Sequence, residues 1–272
     1  MSGKSFGIMA LAGMALLAPH RAQAQDSSSL PPAPDDLSRF LPKDTAEDGR
    51  RTMAAFPKNL GRSFIGVFSK DNLQPLLFGA ATVGVGWRFD QTAKTALAGR
   101  ADDFGQTGAK VGGLTVMAPL TLTLFAAGRF AHDGTFRAFS YDATQALIVN
   151  GVYTEIFKKA VTRTRPDGSD SLSFPSGHSS TAFALATVAE KHYGWKVGVP
   201  SYVAASAIGL SRIERNRHYL SDVLAGATLG VIAGRTVVRT NGEPVGRHRS
   251  FSLAPMTDAQ GSGVGVGASV SW

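Results

Sequence analysis

Hydrophobic and polar positions alternate along this chain in long blocks. Apolar, alanine-rich stretches cover Leu73–Trp87, Val111–Gly128, Ala143–Phe157, Ser179–Ala189, Val197–Leu210 and Val223–Val238, each bounded by glycine, proline or charge. Blocks of this length suit helices and exceed most strands, so the pattern predicts an all-α fold, a bundle of about six core helices. No repeat of solenoid period runs through them. A membrane span takes about 20 apolar residues. Only Val111–Gly128 comes near that length, because the block after Ser179 soon meets Glu190-Lys191-His192 and the block from Val223 meets Arg235. Two arrangements fit, a bundle lying on a membrane and a set of short tilted spans. Phe64-Ile65-Gly66-Val67-Phe68 is the expected interfacial segment. A buried core in a soluble bundle also accommodates the pattern.

The ends differ from the middle. Lys4 precedes the apolar run Phe6–Ala18 and then Ala22-Gln23-Ala24, the pattern of a secretory signal peptide over residues 1–24. Residues 25–50, rich in serine, proline and aspartate, predict a flexible linker. A helical domain is expected over 51–240 and a distinct tail over 241–272. In that tail Arg249–Pro255 and Val264–Trp272 alternate in side-chain character around a glycine-containing turn, which predicts a C-terminal β-hairpin.

Composition narrows the function classes. None of the 272 residues is cysteine, which excludes disulfides, thiolate metal sites and a cysteine nucleophile. The formal net charge of +8 suits nucleic acid, anionic lipid or phosphorylated partners. Nucleic acid is disfavoured, since no long basic run interleaved with aromatics occurs. The cations instead form short blocks around Lys158–Arg165 and Arg212–His218, as a focused anion pocket requires.

Three blocks carry candidate chemistry. In Lys158-Lys159-Ala160-Val161-Thr162-Arg163-Thr164-Arg165-Pro166 the proline turns the backbone away from helix, so Lys158 and Arg165 can converge as a clamp on phosphate oxygens. Ser173-Phe174-Pro175-Ser176-Gly177-His178 opens a helix. The unpaired N–H groups at such a start attract anions, Gly177 admits close approach, Ser176 adds a hydroxyl and His178 is a candidate acid. In Ser211–Asp222, His218 and Asp222 stand four apart and would share a helix face, the carboxylate accepting the imidazole N–H, with Arg212 as a further guanidinium. Taken singly, each block also fits a bland role: basic residues complementing a helix dipole, an ordinary helix cap, and a surface His–Asp pair.

Together the blocks resemble the type 2 phosphatidic acid phosphatase family, whose signature is Lys-x6-Arg-Pro, Pro-Ser-Gly-His and Ser-Arg-x5-His-x3-Asp. Here these read Lys158…Arg165-Pro166, Pro175-Ser176-Gly177-His178 and Ser211-Arg212…His218…Asp222. The family includes bacterial acid phosphatases and lipid phosphatases and shares its helical core with vanadium-dependent haloperoxidases. The resemblance implies a phosphoric ester hydrolase with no cofactor and no metal. His218 would become the phosphohistidine, Asp222 would orient it and His178 would protonate the leaving oxygen. Lys158, Arg165, Ser176, Gly177 and Arg212 would hold the phosphate. The implied partner is a phosphorylated small molecule or lipid, with membrane association. The implied location is exported, periplasmic or with the active site on the outer side of the inner membrane. The alternatives are a vanadium-dependent haloperoxidase and a non-catalytic phosphate or lipid-headgroup binder.

Overall fold

A computed structural model describes residues 43–99, 114–242, 250–257 and 264–271, and the expected signal peptide falls outside them. Eight helices occur among the described residues. They are α1 Phe56–Gly66, α2 Leu73–Arg88, α3 Asp90–Leu97, α4 Leu114–Phe130, α5 Gly134–Val161, α6 Gly177–Tyr193, α7 Trp195–Glu214 and α8 Leu220–Asn241. The six expected apolar blocks correspond to α2 and α4–α8. The additional helices α1 and α3 are short, and their polar residues break the apolar pattern. Two strands, β1 Ser250–Thr257 and β2 Val264–Ser271, pair antiparallel with Ser250 opposite Ser271 and Thr257 opposite Val264.

Helix α6 lies at the centre, against α5, α7 and α8, while α1 and α2 pack on α8. Small residues allow these axes to come close. Ala143, Ala146 and Val149 of α5, Val188 of α6 and Ala233 and Val237 of α8 form the main buried cluster. On α8 the closest approach is at Gly230, where an added Cβ would stand 2.2 Å from the Ser180 carbonyl oxygen. Helix α2 touches α8 through Gly79 and Gly86, and most of its other side chains are exposed.

The two ends of the bundle hold different chemistry. At one end Asp142 of α5 accepts from Arg51 at 3.0 and 2.9 Å, from Asn241 at 2.7 Å and pairs with His192 at 2.8 Å. These groups are fully buried, so their mutual pairing is what makes their burial tolerable. Near this end the last residues of the expected linker are docked. Asp48, buried, takes the Arg137 guanidinium at 2.6 Å. The charge of Asp48 finds a partner there that the linker's Ser/Pro-rich composition does not signal.

Helix α8 is the one described helix long and apolar enough to cross a membrane, and 67% of its apolar window is buried inside the bundle, as in a core helix. Val111–Gly128, the block expected to come nearest a span, contributes to a helix of 17 residues.

Candidate active site

All three candidate blocks lie at the other end of the bundle, where α5 ends and α6 and α8 begin. Helix α5 stops at Val161 because Thr162 takes a left-handed conformation, φ 46°, that turns the chain back. A turn follows, in which the Arg165 carbonyl accepts from Gly168 N–H. This return brings Arg165 to His218, with Arg165 Nη1 3.2 Å from His218 Nε2. The same Nη1 donates to the Arg217 carbonyl, and Nε is held by Asp170 at 2.6 Å. Lys158 Nζ donates to the Leu172 carbonyl at 3.1 Å. Its Cε would lie 3.9 Å from a Cβ built on Gly177, which places its amine beside the start of α6.

Ser176 caps α6, its side chain accepting from Ser179 N–H. Its own N–H donates to the main-chain carbonyl of Asp222 at 2.9 Å, which ties the second block to the third. Gly177 and His178 are the first residues of α6, and both are partly buried. A helix start carries positive potential, and this one lies at the end of the bundle that holds the cations.

His218 is almost wholly buried, in the turn between α7 and α8. Its Nδ1 lies 2.6 Å from the Ser173 carbonyl oxygen. A carbonyl only accepts, so Nδ1 carries the proton and Nε2 keeps a lone pair, directed toward Arg165. Burial pushes the imidazole pKa down to about 4, and the positive charges of Arg165 and Lys158 act in the same direction. His218 is therefore neutral at ordinary pH, the form in which a histidine is a nucleophile.

The expected relation between His218 and Asp222 is corrected. Helix α8 begins at Leu220, after His218, so the two do not share a helix face. The Asp222 carboxylate lies 3.8 Å from Nδ1, beyond hydrogen-bond reach. Asp222 Oδ2 instead accepts from the Ser173 hydroxyl and from Tyr219 N–H at 2.8 Å, and Oδ1 accepts from Arg163 at 2.7 Å. Burial alone would raise the carboxyl pKa. The His218 imidazole, the hydrogen bonds from Ser173 and Tyr219 and the Arg163 charge outweigh it and hold Asp222 below the usual carboxylate range.

Arg212, in the last turn of α7, is the most telling group. Its main-chain carbonyl accepts from the N–H groups of Arg217 and His218, which fixes the turn. Its guanidinium is buried, and Nε and Nη1 have no hydrogen-bond partner among the described residues. Burial first, then the charges of Arg215, Arg217 and Arg165, lower its pKa to about 10. Burial and Arg165 likewise push the Lys158 amine down. A buried cation with two unmet donors, set among further positive charges, is suited to receive an anion.

Sequence reasoning missed Ser173, Arg163 and Asp90. Ser173 and Arg163 lay in plain view inside the candidate blocks. Asp90 is remote, on α3, and nothing local marks it. No group of three His, Asp or Glu residues able to hold a metal ion occurs among the described residues.

Residues 142–244 match the PAP2 superfamily model. Over 132 residues the chain is 36% identical to lipid A 1-phosphatase of Porphyromonas gingivalis, a match covering 46% of this chain and 29% of that protein. It is 29% identical to phosphatidylglycerophosphatase B of Bacillus subtilis over 45% of this chain and 66% of that one. The solved structure of LpxE from Aquifex aeolicus superposes with a TM-score of 0.48 at 24% identity, covering 56% of this chain and 94% of that one. The chain thus spans less than a third of the Porphyromonas gingivalis relative's length.

Proposed function

We propose that this chain, a PAP2-superfamily protein across residues 142–244, is a phosphoric ester hydrolase that acts on lipid phosphates through a phosphohistidine on His218. The observation that carries this reading is the buried Arg212 guanidinium, its Nε and Nη1 unpartnered, on the turn that holds a neutral His218 whose Nε2 faces Arg165. Phosphoryl transfer asks mainly for positioning and for neutralisation of the oxygens around phosphorus. Lys158, Arg165, Arg212, the Ser176 hydroxyl and the N–H groups around Gly177 supply both.

In the first step the His218 Nε2 lone pair attacks phosphorus. The N–P bond forms as the bond to the leaving oxygen breaks, and His178 gives that oxygen its proton. In the second step water attacks the phosphoimidazole and yields its proton to His178. The N–P bond breaks, orthophosphate leaves and Nε2 regains its lone pair. The Ser173 carbonyl keeps Nδ1–H fixed, and the Asp222 carboxylate, 3.8 Å from Nδ1, favours by its charge the positive ring that exists between the steps.

A lipid substrate is supported by names such as lipid A 1-phosphatase and phosphatidylglycerophosphatase B among the relatives. It is also supported by the exposed apolar side chains Leu76, Leu77, Phe78 and Val85 of α2 and Val199 and Val203 of α7, a surface suited to a membrane. Export to the periplasm, with the site on the outer side of the inner membrane, completes the reading. The test is phosphate release from phosphatidylglycerophosphate, phosphatidate, a lipid diphosphate and p-nitrophenyl phosphate by the detergent-extracted protein and by His218→Ala. Release from lipid substrates that is lost in the variant supports the reading. Bromide oxidation with vanadate and no phosphate release would favour a haloperoxidase, and phosphate binding without turnover would favour a headgroup binder.

A further inference from the structure

Ser173, whose carbonyl holds His218, and Asp222, whose carboxylate lies near it, are joined by Arg163, a residue of the first block to which the family resemblance assigned no role. Arg163 Nη1 donates to Asp222 Oδ1 and to the Ser221 hydroxyl, both at 2.7 Å, and its Nη2 donates to Asp90 Oδ2 at 2.7 Å. Asp90 in turn accepts from Ser221 N–H and from the Ser221 hydroxyl, each at 2.8 Å. The Arg163 guanidinium lies between the rings of Trp87 and Tyr219, 4.3 and 4.1 Å from their centroids. Its main-chain carbonyl accepts from Ser173 N–H at 2.9 Å. With its side chain Arg163 grips the carboxylate behind His218. With its backbone it grips the residue whose carbonyl accepts the hydrogen bond from His218 Nδ1–H.

We propose that Arg163 and Asp90 are a pair of positioning residues that hold Asp222 and Ser173 in place, so that His218 stays protonated on Nδ1 with Nε2 directed at the phosphate cradle. The pair deepens the phosphatase reading and depends on it only for the kinetic part of the test. The charges run in a row, negative Asp90, positive Arg163, negative Asp222, ending at the imidazole. An unshielded Asp222 carboxylate would favour imidazolium, which has no lone pair to attack with. Arg163 reduces that pull, and Asp90 limits how strongly Arg163 does so. The charged groups that act on His218 are Lys158 from α5, Arg165 from the segment after it and Asp222 from α8, while Arg212 from α7 meets it through its main-chain carbonyl and Arg217 adjoins it in the chain. Arg163 acts through Asp222. Asp90 of α3 acts through Arg163.

This arrangement makes a signed prediction. Arg163→Gln removes the shield, so the imidazole titrates higher, by about one pH unit. Asp90→Asn frees the Arg163 charge to draw on Asp222, so the imidazole titrates lower. Loss of packing alone has no reason to act with opposite signs at two touching residues. Nitrogen NMR of the full-length protein in detergent reads the His218 tautomer and titration directly. Steady-state kinetics on a lipid phosphate reads kcat and KM separately. The expected result is opposite titration shifts and a kcat lowered about tenfold in both variants, with KM changed less than about twofold. Arg163→Lys should keep the wild-type titration and still lose kcat, because one ammonium cannot bridge both carboxylates. Unmoved titrations, shifts of the same sign, or a loss confined to KM would overturn the proposal. If Arg163→Gln does not fold, Asp90→Asn and Arg163→Lys decide it by the same criteria. If the wild type releases no phosphate, the phosphatase reading fails while the NMR result still decides the positioning role.

Discussion

Replacing Arg212 by Met should make the protein more stable and less active. The guanidinium is buried with Nε and Nη1 unpaired, and its pKa falls from the ordinary arginine range to about 10. At about 1.4 kcal/mol per pH unit, keeping the charge in the folded state costs about 3 kcal/mol. The sign follows from the direction of the shift. The unfolded chain holds this proton up to its ordinary pKa and the folded one releases it near 10, so stability gains with pH only above about 10 and the full penalty applies at neutral pH. Met preserves the stem and removes the charge, so a gain of about 1–3 kcal/mol is expected. The price is function, because one lost donor to a developing phosphoryl charge lowers turnover by about 10²–10³. The assay is thermal unfolding in detergent with and without orthophosphate. Wild type should unfold earlier than Arg212→Met without phosphate and rise on its addition, by an amount equal to about 2.7 kcal/mol at a hundredfold excess over Kd. The variant should start higher and respond little. A variant less stable than wild type, with its phosphate response intact, would refute the idea that Arg212 is held ready for an anion.

Further outcomes follow from the same geometry. His178→Ala should slow release from alkyl phosphates far more than from p-nitrophenyl phosphate, whose leaving group needs no acid, and the ratio of the two rates reads this. Gly226→Ala would place a Cβ 2.4 Å from the Ser176 carbonyl oxygen. It should cost about 1–3 kcal/mol in unfolding measurements and weaken phosphate binding, whereas Gly84→Ala, with nothing within 4 Å, should change neither. His218 titrates at about 4 when folded against 6.5 ordinarily, so between those values the unfolded chain binds a proton that the native protein does not. Stability should therefore fall as pH drops through that window, by up to about 3 kcal/mol, and His218→Gln should lose less over the same range.

Helical class was legible because the described residues of six alanine-rich blocks of helix length fall on α2 and α4–α8. Helices α1 and α3 were not, since Lys58, Asn59 and Arg62 interrupt the first and the second is only eight residues long. The blocks holding Lys158, Arg165, Ser176, Gly177, Arg212 and His218 could be picked out as strings, because short spacings recorded them in the chain. Contacts at the site were read less well. A four-residue spacing suggests a shared helix face for His218 and Asp222, yet α8 starts at Leu220 and Asp222 is spent capping it through Tyr219 N–H. The imidazole then turns to the Ser173 carbonyl, a backbone group that no side-chain pattern reveals. Asp90 escaped because it stands 73 positions from Arg163 and meets it only once α3 is folded against the start of α8.

The most direct measurement is to quench the protein during turnover of a radiolabelled lipid phosphate and locate the label by peptide mass spectrometry under alkaline conditions. A phosphoryl group on the peptide containing His218, acid-labile and missing from His218→Ala, is what this mechanism requires. Label on any other side chain, or lipid phosphate turned over at full rate by His218→Ala, would contradict it.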